Sequence, residues 1–237
     1  MTGPTFPTGD IVIRIPDGNP PQGGWPVLVF LHGCGERAST YSALATAAAA
    51  AAFVSIAPSG PMILPGGGRS WMTDLAATDA CIQSAFAGPL SGLAGVLGGL
   101  YLCGFSQGAT HAYGLLAGRP DRYSGAIILS PGEGPDPPGP PPAEAARPMY
   151  LSYGKGEYRV FRQRAQKWGT RWQRSGHPCR IEPHPGGHHY PIDWFTRFPL
   201  VAAWLLSFRA NSETSKILQQ QAVRPNPPPG GTSATSS

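Results

Sequence analysis

Short apolar runs alternate with longer segments of helical periodicity along this chain. The run Val27–Leu31 is apolar at every position, which is typical of a strand buried on both faces of a sheet. The predicted elements, in chain order, are strands Ile11–Ile15 and Val27–Leu31, helix Thr40–Ala52, strand Phe53–Ala57, helix Leu75–Ala87, strand Leu100–Cys103, helix Gln107–Ala117, strands Ala126–Leu129 and Met149–Ser152, helix Arg159–Arg174, strand Arg180–Glu182 and helix Trp194–Phe208. Because strands alternate with helices, the pattern predicts an α/β fold with a mostly parallel central sheet that helices cover on both faces.

The composition is compatible with one such domain. Of the 237 residues, 41% are hydrophobic, which is enough to bury one sizeable core. We therefore expect a single folded domain over residues 1–210. From Asn211 the chain becomes polar and then rich in proline, serine and threonine, which predicts a disordered tail over residues 211–237.

The charge distribution argues against nucleic acid as a partner. The formal net charge is +5, and the basic residues come closest together in the predicted helix Arg159–Arg174. Their helical spacing places them on one solvated face, opposite an apolar face. We expect no nucleic-acid partner, and the sequence leaves the oligomeric state open.

The cellular compartment is suggested by the segments that the sequence lacks. The first residues contain neither the basic nor the apolar segment of an export signal, and no apolar run has the length of a membrane span. We therefore expect a cytoplasmic protein without a membrane span. The four cysteines, Cys34, Cys81, Cys103 and Cys179, have no C-x-x-C spacing, so we expect free thiols.

The segment Gly104-Phe105-Ser106-Gln107-Gly108 follows a predicted strand and precedes a predicted helix. This is the G-x-S-x-G pattern of a nucleophile elbow, in which a strained turn exposes the serine hydroxyl above the sheet. Glycines two positions before and after the serine let the helix pack close behind the strand. The pattern predicts Ser106 as a nucleophile, with the helix N-terminus favouring the negative charge that develops near it.

A glycine-rich turn follows the strand Val27–Leu31 and reads His32-Gly33-Cys34-Gly35. When a serine attacks a carbonyl carbon, the carbonyl oxygen becomes an oxyanion that preorganised N–H groups must meet. Glycines let the backbone approach that oxygen. We assign the oxyanion hole to the N–H groups of Cys34 and Gln107, and we expect His32 and Gly33 to lie in the substrate-binding region.

The third member of a triad is predicted to be Glu157. It follows the strand Met149–Ser152 in a glycine-containing turn, where the acid that orients a catalytic histidine is expected. No other acid fits better, because Asp136 and Glu144 lie in a proline-rich loop and Glu182 lies within a strand-like segment.

The histidine of the triad lies in Gly186-Gly187-His188-His189-Tyr190-Pro191, after the last predicted strand. This position completes the chain order serine, acid, histidine. Only one of the two adjacent histidines can face Ser106. We favour His188 because it directly follows the glycine pair, and His189 remains the alternative.

Together these motifs resemble the α/β-hydrolases. Three segments are similar to the phospholipase/carboxylesterase family, which includes acyl-protein thioesterases: residues 104–108, 69–74 and 119–126. Two others, Leu31–Gly35 and Gly186–Pro191, are similar to feruloyl esterases and polyhydroxybutyrate depolymerases. The resemblance covers roughly residues 10–208.

The resemblance implies an α/β-hydrolase fold and hydrolysis of a small-molecule ester or thioester through an acyl-serine, without a metal or other cofactor. Two features depart from it: Glu157 replaces the usual aspartate, and the Pro/Gly loop 131–142 is longer than the connection needs. That loop is either part of a cap over the site or a surface insertion. Trp71 is expected to form a wall of the substrate pocket, unless it is an ordinary core residue.

Three other functions fit parts of the sequence. A serine peptidase would use the same triad, because one fold hosts many chemistries. A non-catalytic binding protein of the same fold is a second possibility, although such a protein needs no triad. A metal site is the third, but the spacings match no zinc pattern; its candidate ligands are His177, Cys179, His184, His188 and His189.

Overall fold

The computed structural model describes residues 11–71, 74–88, 90–142 and 146–222, without the side chains of residues 94–97 and 210–222. A seven-stranded sheet forms its centre, and a separate two-stranded sheet lies in the loop before the helix Leu75–Ala87. The strands are β1 Ile11–Arg14, β2 Trp25–Leu31, β3 Val54–Pro58, β4 Met62–Ile63, β5 Arg69–Ser70, β6 Leu97–Phe105, β7 Tyr123–Leu129, β8 Met149–Ser152 and β9 Cys179–Ile181. The helices are α1 Ser42–Ala50, α2 Leu75–Ala87, α3 Gln107–Gly118, α4 Arg159–Arg174 and α5 Trp194–Ala222.

The large sheet has the strand order β1-β3-β2-β6-β7-β8-β9. Strand β1 pairs antiparallel with β3 at one edge, and the other pairings are parallel. Strand β2 is buried at every residue. Its register against β6 shifts between Trp25 and Val27, where Pro26 has no N–H to give to the ladder. The predicted fold class, a mostly parallel sheet with helices on both faces, is confirmed.

The alternation of side chains along the strands divides the core into two layers. Val27, Val29 and Leu31 of β2 pack with residues of helices α2, α3 and α4. Leu28 and Phe30 point the other way and pack with residues of helices α1 and α5. Helix α3 lies deepest and is buried from Gln107 to Ala117, so the turn that precedes it is held firmly against the sheet.

Some boundaries differ from those that the sequence predicts. Strand β6 begins at Leu97, because pairing with β2 overrides the low strand propensity of Gly98 and Gly99. The segment between the predicted strand Phe53–Ala57 and the predicted helix Leu75–Ala87 contains the pair β4 and β5. Helix α5 continues beyond Phe208 to Ala222, so it includes residues 211–222 of the segment predicted as a tail. Residues 223–237, like Met72, Thr73 and Glu144, lie outside the described residues.

Candidate active site

Ser106 stands at the sharp turn between β6 and α3. Its backbone φ is +52°, in the region that residues other than glycine rarely adopt. A side chain at Gly104 would collide with the carbonyl of Gly108, and one at Gly108 would collide with that of Leu31. The two glycines therefore permit the close packing of strand and helix on which the elbow depends.

The turn after β8 and the loop after β9 are joined through their backbones. Lys155 N–H donates to His184 O at 2.8 Å, and Gly156 N–H donates to Gly186 O at 2.9 Å. A side chain at Gly154 would collide with the carbonyl oxygens of Gly186 and Gly187. This close approach brings Glu157, in the turn after β8, to His188, in the loop after β9.

Ser106, His188 and Glu157 form one hydrogen-bonded line. His188 Nε2 lies 2.8 Å from Ser106 Oγ, and His188 Nδ1 lies 2.9 and 3.0 Å from the two carboxylate oxygens of Glu157. An ionised carboxylate only accepts hydrogen bonds, so Nδ1 carries the ring proton and Nε2 is left to accept from the serine hydroxyl. The Glu157 side chain is fully buried, whereas the His188 side chain is 26% exposed.

His189 is engaged within its own loop. Its Nδ1 donates to Tyr190 O at 2.6 Å, and its Nε2 accepts from Gly187 N–H at 3.1 Å. Both ring nitrogens are therefore occupied by the backbone. Of the two adjacent histidines, the structure places His188 against Ser106.

The N–H groups of the loop after β2 differ in whether the protein offers them an acceptor. The N–H groups of Gly33, Gly35 and Glu36 donate to Glu36 Oε2, Arg69 O and Gly33 O. Among the described residues, the N–H of Cys34 has no acceptor, and neither has that of Gln107, the first residue of α3. The two predicted oxyanion donors are thus unpaired N–H groups, as an oxyanion hole requires.

A buried frame of four residues fixes both donors. Gln107 Oε1 accepts from Ser70 Oγ at 2.9 Å and from Trp71 N–H at 2.7 Å. Trp71 Nε1–H in turn donates to His32 O at 3.0 Å. These bonds tie the first residue of α3, through Ser70 and Trp71, to the first residue of the glycine-rich turn.

His32 completes this frame as a neutral side chain. Its Nδ1 donates to Gly33 O at 2.7 Å and its Nε2 accepts from Gly60 N–H at 2.8 Å. Burial lowers the pKa of His32 from 6.5 to about 4. A neutral imidazole with both nitrogens satisfied holds the loop without adding charge beside the oxyanion.

A second chain of hydrogen bonds holds the same loop from the outside. Glu36 Oε2, which accepts from Gly33 N–H at 2.7 Å, also accepts from Tyr41 OH at 3.3 Å. Tyr190 OH donates to Tyr41 OH at 2.6 Å. Burial raises the pKa of both tyrosines, so they remain phenols. The loop that carries His188 is therefore coupled to the loop that carries Cys34.

The predicted substrate-binding residues lie deeper than expected. Trp71 is fully buried and His32 is 1% exposed, so neither side chain offers surface to a substrate. Both pack in the frame beneath the oxyanion loop, and Gly33 is held there by Glu36. For Trp71 the core alternative fits the placement, and we propose that these residues support the loop.

Residues for which the sequence predicts no role also contact His188 or Ser106. Phe105 and Phe161 flank the His188 ring, with ring centroids 5.4 and 5.6 Å away. Gly132, the second residue of the Pro/Gly loop, donates from N–H to Ser106 O at 2.9 Å. The loop thus begins beside the nucleophile, and it is fixed farther along where His177 contacts Pro141 O at 3.0 Å. Nothing distinguishes Gly132 from the other 31 glycines before the fold is known.

Other sequence expectations concern metals, thiols and membranes. Among the residues that the structure describes, no group of three His, Cys, Asp or Glu side chains could hold a metal ion. All four cysteines are free; Cys81 and Cys103 are buried, whereas Cys34 is exposed. None of the described helices is long and apolar enough to cross a membrane.

Several solved structures with a similar architecture are esterases. A carboxylesterase from Bacillus cereus is 14% identical, with a TM-score of 0.64 over 82% of this chain and 93% of its own. Esterase PE8 is 22% identical, with a TM-score of 0.61 over 84% of this chain and 98% of its own. Est1E from Butyrivibrio proteoclasticus is 14% identical, with a TM-score of 0.58 over 84% and 94%. No family model and no curated protein matches the sequence. From the similarity to these solved structures, the chain has the α/β-hydrolase fold.

Proposed function

We propose that this protein is a serine hydrolase that cleaves carboxylic esters or thioesters through an acyl-serine intermediate. The observation that carries the proposal is the line Ser106–His188–Glu157, with bonds of 2.8, 2.9 and 3.0 Å, beside two unpaired backbone N–H groups. A nucleophile, a base held by a third group and an oxyanion site are the parts that acyl transfer needs. We also propose that residues 1–210 form the catalytic domain.

In the first half of the reaction, Ser106 Oγ attacks the acyl carbon while His188 Nε2 takes the hydroxyl proton. Glu157 accepts from Nδ1–H throughout and stabilises the imidazolium that forms. The N–H groups of Cys34 and Gln107 hold the oxyanion of the tetrahedral intermediate. The bond between the acyl carbon and the leaving oxygen or sulfur then breaks, and His188 returns the proton to the leaving alcohol or thiol.

In the second half, water takes the place of the leaving group. His188 removes a proton from the water as its oxygen attacks the acyl-serine, and the same two N–H groups hold the second oxyanion. Collapse releases the carboxylic acid, and Ser106 Oγ regains its proton from His188. All steps use side chains and backbone groups of this chain.

The choice of an ester or thioester as substrate rests on two observations. The similar solved structures include a carboxylesterase and esterase PE8. The two carboxylates at the site are engaged within the protein: the Glu157 carboxylate faces His188, and the Glu36 carboxylate faces Gly33 N–H. Neither is placed to recognise the charged end of a peptide.

The test is hydrolysis of p-nitrophenyl esters from acetate to palmitate, together with a feruloyl ester and a peptide p-nitroanilide. The wild type is expected to turn over at least one ester, and Ser106→Ala should lose about 10³-fold or more of that activity. Chelator should have no effect. Cleavage of the anilide alone would instead indicate a peptidase, and activity that persists in Ser106→Ala would refute the serine mechanism.

A further inference from the structure

Gly132 lies next to the nucleophile Ser106, although neither the triad nor the oxyanion hole includes it. Its N–H donates to Ser106 O at 2.9 Å. A Cβ at this position would stand 2.8 Å from Ser106 Oγ, 3.2 Å from the Ser106 carbonyl carbon and 3.3 Å from Gln107 N. Two of these three atoms are the nucleophile and a predicted oxyanion donor.

A reacting carbonyl needs both of those atoms. Its carbon must come to about 3–3.5 Å from the nucleophile, and its oxygen to about 2.7–3.1 Å from each donor. A methyl group on Gly132 would be in contact with the same two atoms. This contact can be relieved by rotation of Ser106 Oγ, which would break its 2.8 Å bond to His188, or by a shift of the Gly132 backbone, which would disturb its bond to Ser106 O.

The carbonyl of Gly132 is held from two helices. Thr110 Oγ1, on α3, donates to Gly132 O at 3.0 Å, and Arg164 Nη1, on α4, donates to the same oxygen. The Arg164 guanidinium lies over two aromatic rings, 5.9 Å from the centroid of Phe161 and 5.8 Å from that of Trp168. No carboxylate within the described ranges forms an ion pair with Arg164. The guanidinium of Arg164 therefore uses its hydrogen bond to hold the Gly132 carbonyl, and not to pair with an acid.

We propose that Gly132 is a positioning residue that keeps the space in front of Ser106 and Gln107 open, and that Thr110 and Arg164 hold it there. This role rests on the proposed serine-hydrolase function, which it deepens. Helix α4 begins at Arg159, two residues after Glu157, with Tyr158 as its N-cap. The Arg164 contact therefore also links the segment that carries Glu157 to the one that carries Ser106.

The first test is Gly132→Ala, with Gly139→Ala as the matched control in the same loop. A Cβ on Gly139 would meet only the flexible end of Arg171, at 3.0 Å. Gly132→Ala is expected to lower kcat about 10²-fold or more with a smaller effect on KM, because a misplaced nucleophile costs reaction rate. Its rate of phosphonylation by a p-nitrophenyl phosphonate should fall in parallel. Gly139→Ala should keep wild-type kinetics.

The second test approaches the loop from α4 and does not alter the glycine. Arg164→Met should lower kcat about 10-fold on neutral and anionic esters alike, since it removes one of two donors to Gly132 O. Arg164→Lys, which retains a cationic donor, should recover part of that loss. Arg171→Met, on the same helix, is the control and should match the wild type.

Two results would overturn the proposal. One is a wild-type kcat and phosphonylation rate in a folded Gly132→Ala. The other is an Arg164→Met variant that changes only the KM of anionic esters, which would make Arg164 a substrate-binding residue. Both presuppose a wild type that hydrolyses esters; a wild type without esterase activity or phosphonylation would refute the proposed function itself.

Discussion

Two groups of residues meet at Ser106, and each contains a histidine with very different properties. In the catalytic line, the His188 side chain is 26% exposed and bonds Ser106 and Glu157 through its two nitrogens. In the buried frame, His32 is 1% exposed and bonds only backbone groups. Exposure and partners, not residue type, decide which imidazole can exchange a proton with a substrate.

The two groups of residues have different tasks at Ser106, and the two histidines suit them. Burial lowers the pKa of His32 to about 4, so it stays neutral and its proton stays on Nδ1. A rigid, uncharged frame can hold backbone N–H groups toward an oxyanion without reorganisation, which is how such a site stabilises developing charge. The catalytic line, in contrast, needs a histidine, His188, that gains and loses a proton during the reaction.

The largest expected effect comes from removing the catalytic histidine. His188→Ala should lower kcat by about 10³-fold or more, because within the described ranges only His188 is placed to accept the Ser106 proton. His189→Ala is the matched neighbour; it loses two bonds within the loop and should retain much more activity. Steady-state kinetics on a p-nitrophenyl ester measures both. Equal losses in the two variants would contradict the assignment.

The next effect concerns the buried acid. Glu157→Gln keeps the size of the side chain but removes its charge and permits the wrong tautomer of His188, so kcat should fall about 10³–10⁴-fold. Glu157→Asp keeps the charge but shortens the reach, and an intermediate loss is expected. An activity of Glu157→Gln close to that of the wild type would show that Glu157 does not orient His188.

A smaller effect is expected in the frame. Trp71→Phe leaves His32 O without its 3.0 Å donor and should destabilise the fold by about 1–3 kcal/mol. Trp172→Phe is a matched control, because Trp172 is also fully buried and donates from Nε1 to a backbone carbonyl, Arg147 O, at 2.8 Å. Only Trp71→Phe should also lower kcat, about 10-fold. Denaturant unfolding and kinetics, measured together, separate the two effects; equal kcat values would remove the link between frame and oxyanion hole.

The last effect acts on stability and not on kcat: the free energy of unfolding should depend on pH. Burial lowers the pKa of His32 and of His111 to about 4, below the 6.5 of an unfolded chain. As pH falls from 6.5 to 4, the unfolded state gains protons before the folded state does, so stability falls over this window and is fully present above it. Each histidine contributes at most about 1.4 kcal/mol per pH unit. Urea unfolding at several pH values measures the slope, and a rise in stability toward pH 4 would contradict it.

Local requirements explain which features were predictable. The bounds of α2 agree with the prediction, and glycines stand where local space or backbone conformation demands them: Gly104 and Gly108 at the elbow, Gly35 with a φ of +85° in the oxyanion turn, and Gly186 against the His189 ring. Such demands act on neighbouring residues, so they appear in the sequence as short motifs. Their order along the chain was enough to propose Ser106, Glu157 and His188.

The remaining features depend on contacts between distant segments. Trp71 becomes a frame residue because His32 and Gln107 meet it from two other elements. The choice between His188 and His189 depends on loop bonds that a sequence does not specify. Gly132 acquires its place only when the loop after β7 folds against the elbow.

The most direct test of the triad is covalent labelling with a p-nitrophenyl phosphonate, followed by mass spectrometry of the digested protein. Such a reagent reacts with a serine only when a base removes its proton and an oxyanion hole receives the phosphoryl oxygen. The triad predicts one adduct per chain on Ser106, formed rapidly in the wild type and in His189→Ala, and slowly in His188→Ala. An adduct on another residue, or equal rates in the wild type and His188→Ala, would contradict it.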